Sequence, residues 1–147
     1  MDMGRNRNRW IVILSLLILT WIAFSHKSSQ KSLSIGGIRS NAERIAWLMK
    51  NGWEVEDLAE SQEELRLPKE LPPILKAYNE LQKKQGFDLC GYLGKRVNVY
   101  TYRIKNAPEG ETLYCTLYQY RHRIIGGDVH SASLDGAMQG ILREKLG

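Results

Sequence analysis

The sequence predicts an α+β domain: a small antiparallel sheet packed against two or three helices and preceded by one N-terminal transmembrane helix. Three observations carry this. Three runs in the second half alternate apolar and polar residues and are joined by short turns, the pattern of hairpin-linked strands. Segments with helical spacing and cap residues flank and interrupt them, which places helices beside the sheet rather than between parallel strands. A run without charge opens the chain, Trp10 to Ser25.

Sixteen uncharged residues reach about 24 Å as a helix, short of a hydrocarbon core of about 30 Å. Arg9 with Asn8, and His26 with Lys27, close the gap by snorkelling to the headgroups. Arg5, Arg7 and Arg9 precede the run and predict a cytoplasmic N-terminus, which puts the rest of the chain outside. Residues 1–25 then form a stub and anchor, 26–37 a Ser- and Lys-rich tether, and 38–147 the domain. The alternative is a signal peptide cleaved near Ser25, because Ala23-Phe24-Ser25 supplies the small residues cleavage needs.

Ser40 or Asn41 caps a first helix running to about Lys50, with Glu43 completing a capping box and Asn51-Gly52 ending it. Ala42, Ile45, Leu48 and Met49 are its expected apolar face. Alternation over Trp53–Asp57 predicts a short strand, and Glu64–Leu67 a second that stops at Pro68. Pro72-Pro73 start a helix to about Gln85 with Ile74, Ala77, Tyr78 and Leu81 inward, and Gly86 stops it. Val97–Lys105, Thr112–Tyr120 and Arg123–His130 are the three clearest strands, turning at 106–110 and at Arg121-His122. Ser131 or Ser133 caps a last helix with Leu134, Met138, Ile141 and Leu142 on one face.

The net charge of +5 looks suited to nucleic acid. From His26 onward, however, 18 Lys/Arg stand against 15 Asp/Glu, and a nucleic-acid partner is not expected. The charges are uneven: Glu54, Glu56, Asp57, Glu60, Glu63 and Glu64 precede a later basic set that includes Lys105, Arg121 and Arg123. With Asp128 and His130 these three are the candidate interaction surface. Outside the cytoplasm Cys90 and Cys115 are a candidate disulfide, although Cys115 also suits a buried apolar position.

Asp128 and His130 are two apart and share one face of a strand, with Asp135 nearby, which makes a metal or hydrolytic site conceivable. Phosphate loops and serine-hydrolase elbows are missing, and Ser131 and Ser133 read as turn and cap residues. Gly126-Gly127 inside an apolar strand marks a bulge or a close backbone approach, expected from the last helix. The tyrosines at 100, 102, 114, 118 and 120 are expected to pack in the core, the alternative being an aromatic surface for peptide or glycan.

The segments RIAWLMKNGWEVE (44–56), LPPILKAYNELQKKQGFDL with YLGKRV and YTYRIKN (71–107), and RIIGGDV with SASLDGAMQG (123–140) resemble an uncharacterised family. Its members are small, membrane-anchored extracytoplasmic domains from endospore-forming Gram-positive bacteria. The resemblance implies no activity, no cofactor and no catalytic residue. It also implies a looser hairpin here, because family members tend to carry glycine where this chain has His122.

The expectation is a single-pass, extracytoplasmic, non-catalytic binding or assembly module of the cell or spore envelope. Its partners are the membrane, through residues 10–25, and an envelope component. The alternative is a secreted or anchored hydrolase, with or without a metal, that uses Asp128, His130 and Asp135.

Overall fold

The computed structural model describes residues 36–133 and 136–142. The anchor, most of the tether, Leu134 and Asp135 lie outside these residues. The order is α1 (Asn41–Lys50), β1 (Ser61–Arg66), α2 (Pro73–Lys84), a short 3-10 helix (Leu89–Tyr92), β2 (Arg96–Arg103), β3 (Leu113–Tyr120), β4 (Arg123–Ser131) and β5 (Met138–Gly140). The strands form one five-stranded sheet in the order β1-β2-β3-β4-β5, and every neighbour is antiparallel. The class is α+β, as the alternation and caps predict. No helix among the described residues is long and apolar enough to cross a membrane.

Both faces of the sheet are covered, by different helices. Tyr100, Tyr102, Cys115, Leu117 and Val129 share the face that meets Trp47, Leu48 and Trp53. Val97, Ile125 and Leu89 share the other, with Tyr78, Tyr118 and Tyr120 packed against them. α1 therefore covers the first face and α2 the second. Tyr100 and Tyr102 are buried as expected, whereas Tyr114, Tyr118 and Tyr120 are only half-buried.

The capping box of α1 is formed: Ser40 Oγ accepts from Glu43 N–H, and the Glu43 carboxylate accepts from Ser40 N–H at 2.8 Å. Gly52, at φ 86°, completes its termination. The buried face of α1 is Arg44, Trp47 and Leu48, while Ala42 and Met49 are exposed. Arg44 is tolerated inside because Nε donates to Tyr102 Oη at 2.8 Å and the guanidinium lies 3.7 Å from the Tyr100 ring centre. α2 likewise buries Asn79 and Gln82 and exposes Ile74 and Ala77, while Tyr78 and Leu81 are partly buried as its apolar spacing predicts. Asn79 accepts from Leu89 N–H and Gln82 from Gly127 N–H, so both amides bind backbone that apolar side chains would leave unpaired.

Two strands differ from expectation. Trp53–Asp57 forms only the single bridge Val55 to Ile104, and the edge strand is β1, which begins earlier than Glu64. The expected last helix is a strand: Met138–Gly140 pairs with His130–Asp128 of β4. Gly136 and Gly140 each cost a helix about 1 kcal/mol, and an open sheet edge supplies the alternative hydrogen bonds. Pairing begins at Gly36, which bridges to Arg123, two residues ahead of the expected boundary at 38. The β3–β4 hairpin is tight despite His122, with Tyr120 paired to Arg123. The residue with positive φ is Arg121, at 53°.

Candidate functional site

Cross-strand pairing builds a polar array on the α2 face. Arg103, Tyr114, His130 and Met138 are successive partners across four strands, and Thr101, Thr116, Asp128 and Gly140 form the adjacent row. Asp128 is buried, at 3% exposure, and its carboxylate is held from two sides. Tyr78 Oη, from α2, donates to Oδ2 at 2.6 Å, and His130 Nδ1 lies 2.8 Å from Oδ1. With Nδ1 turned to the carboxylate, no hydrogen bond from the described residues occupies Nε2. The half-exposed His130 ring stacks on Tyr114, centres 6.0 Å apart.

Burial and the Asp128 charge push the Tyr78 hydroxyl far above its ordinary range, and burial with the same charge raises Tyr118. Tyr78 is therefore a permanent donor to Asp128. The rim is apolar: Met138 is 52% exposed, and Ile74, one helical turn before Tyr78, is 78% exposed.

Gly126 and Gly127 explain how α2 is held here. The register shifts between Tyr118 and Gln119, leaving Ile125 as the extra residue of a bulge. The close approach at Gly126 comes from α2, where a Cβ would lie 3.0 Å from Gln82 Oε1, and at Gly127 from β3 and Ile141, where a Cβ would lie 2.7 Å from the Thr116 carbonyl oxygen. Gly127 N–H donates to Gln82 Oε1 at 2.8 Å, and its carbonyl accepts from Gln85 Nε2 at 3.1 Å. N–H and C=O of one strand residue point to the same side, so the two glutamines continue the ladder where β5 ends.

Of the expected surface, Asp128 and His130 are brought into contact. Lys105 follows β2 at the end of the sheet near Tyr114, whereas Arg121 and Arg123 lie at the far end of β3. The five residues are not one site. Cys90 is an exposed free thiol and Cys115 a buried one, so the two do not pair in this structure. Asp135 lies outside the described residues, and among those described no group of three metal-ligating side chains occurs. Ser131 Oγ accepts from Ser133 N–H, in keeping with a turn role.

The bond from Tyr78 to Asp128 and the stacking of Tyr114 on His130 were not singled out by sequence, although Tyr114 was one of the tyrosines weighed as an aromatic surface. For Tyr114 the available signal was pairing: the hairpin register that follows from the tight turn sets it opposite His130. Chemically, the array presents an imidazole oriented by a buried carboxylate, able to exchange a proton or a hydrogen bond at Nε2, within an aromatic and apolar rim.

No curated protein and no solved structure matches this chain. A family model matches residues 47–129, from α1 through Asp128 and Val129, more than half of the chain. On that match the chain belongs to the DUF4830 family, a domain of unknown function.

Proposed function

We propose that this chain is a single-pass membrane protein whose domain lies outside the cytoplasm and binds a cell- or spore-envelope component without catalysis. The anchor reading rests on Trp10–Ser25 and the three arginines before it. The binding reading is supported above all by the Arg103–Tyr114–His130–Met138 row. Aromatic, imidazole and thioether groups lie side by side there, only partly covered, in a small domain that buries most of its other large side chains. Tyr and Arg are the residue types over-represented where proteins recognise partners.

A photo-crosslinking residue at Tyr114 in intact cells tests this, with Lys50 on α1 as the control position. One adduct from position 114, lost in a His130→Ala background, is expected. Equal adducts from both positions, or none from 114, would sink the binding reading. Protease accessibility of a C-terminal tag on intact cells tests the orientation separately.

The Asp128–His130 contact favours one second reading, a hydrolase in which His130 Nε2 acts as general base. Turnover of ester, amide or phosphoester substrates that is lost in His130→Gln would establish it. Identical background rates for both proteins would dismiss it.

A further inference from the structure

The topology sorts charge along the strands. At one end, β1 finishes at Arg66 opposite Arg96, and the β3–β4 turn supplies Arg121 and Arg123. Lys95 precedes β2 there, and Arg39 follows Ile38, whose N–H donates to the His122 carbonyl. All six cations are exposed. Arg96 pairs with Glu64 at 3.1 Å and the Glu43 carboxylate lies beside Arg39, so four of the six have no carboxylate partner among the described residues. At the other end, Glu54 and Glu56 bond to the Arg103–Asn106 segment, and Glu109 and Glu111 lie in the β2–β3 connection. These four acids outnumber Arg103 and Lys105. The eight residues of β3 separate the two ends by roughly 25 Å.

The chain joins the sheet at the basic end, where Gly36 bridges to Arg123. In the sequence ten residues separate Gly36 from the end of the apolar run at Ser25, and such a segment spans at most about 35 Å. We infer that the basic end of the sheet docks against the anionic headgroups of the membrane that carries the chain, with the acidic end turned away. The inference rests on the membrane-anchor reading for its geometry. It adds an oriented lipid contact that the anchor alone does not require. Charge supplies the selectivity, because cations near an anionic leaflet are attracted strongly and those beyond a Debye length hardly at all.

The experiment uses the full-length protein in vesicles of phosphatidylcholine, with or without about a third phosphatidylglycerol. Cys90, the exposed thiol, carries a donor dye and the lipid carries an acceptor. Energy transfer should rise on anionic vesicles, fall with added salt, and be unaffected by Glu54→Lys with Glu111→Lys. Each basic residue removed should weaken docking about fivefold, so Lys95→Gln with Arg121→Gln and Arg123→Gln should shift the docked-to-free ratio about a hundredfold. Equal transfer on neutral and anionic vesicles overturns the inference, as does a folded triple variant that behaves like the parent. Should the triple variant not fold, the salt titration of the parent decides alone. Flotation reads the anchor separately. A chain that does not float with neutral vesicles has no anchor, and docking then stands or falls on salt-reversible flotation with anionic ones.

Discussion

Replacing Gly127 by alanine tests the account of how β4, its neighbour β3 and Ile141 interlock. The added Cβ would stand 2.7 Å from the Thr116 carbonyl oxygen and 3.2 and 3.3 Å from two carbons of Ile141. The nearest obstacle is strand backbone inside a five-stranded sheet, which cannot rotate away as a side-chain tip does. Overpacking of this kind costs about 1–3 kcal/mol, and backbone resistance puts this case near 3. The smaller unfolded-state entropy of alanine offsets about 0.5–1 kcal/mol, leaving a net loss of about 2 kcal/mol. For a domain of this size that lowers the melting temperature by about 10 °C. Gly91→Ala is the control, because its Cβ meets no heavy atom within 4 Å and its φ is ordinary. Thermal unfolding followed by circular dichroism compares the two. If Gly127→Ala and Gly91→Ala melt within 2 °C of each other, roughly the noise expected of neutral surface changes, the interlock described here is wrong.

Further outcomes follow from the other unusual groups. Arg44→Ala removes the bond to Tyr102 Oη and the stacking on Tyr100, and should cost about 3 kcal/mol in urea unfolding, with Arg44→Lys recovering little because it lacks the planar group. Arg121→Asn keeps the φ of 53° with a residue that tolerates it better, and should raise the free energy of unfolding in urea by about 0.5 kcal/mol. Alkylation at pH 8 should modify one thiol per folded chain: burial pushes Cys115 up to about 12, while Cys90 is accessible. The hydrogen bond with Asp88 raises the Cys90 thiol above its ordinary value, so Asp88→Asn should quicken its modification. Since the unfolded Cys115 thiol ionises near its ordinary value of 9.0 and the folded one only at about 12, its contribution to stability is complete below pH 9 and is lost as pH rises toward 12. Cys115→Ala should flatten that part of the stability profile.

The elements legible in the sequence were those whose signals are local. Ser40 with Glu43, Gly52 and Gly86, and the alternation from Val97 to His130 each act within a few residues, and each stands where expected. What failed was inward direction. Apolar spacing assigns Ile74 and Ala77 to the core, but α2 turns Asn79 and Gln82 inward because Leu89 N–H and Gly127 N–H need acceptors there. Periodicity cannot register a demand made by backbone 10 and 45 residues away. The same holds for β5, whose 3.6-residue apolar spacing was overruled by the open edge of β4. The Asp128–His130 pair was visible as a spacing of two on a strand, whereas Tyr78 entered the array only through the packing of α2.

The glutamine clamp on Gly127 also sets a clock. Its amide proton is held by a side chain of α2 rather than by a neighbouring strand, so its exchange with solvent requires the helix to lift, not the sheet to open. Amides bonded between β3 and β4 wait for the sheet itself. A Gly127 amide exchanging ahead of its strand neighbours would time the departures of α2, and with them the intervals in which Asp128 loses the Tyr78 hydroxyl and His130 faces a carboxylate held from one side only.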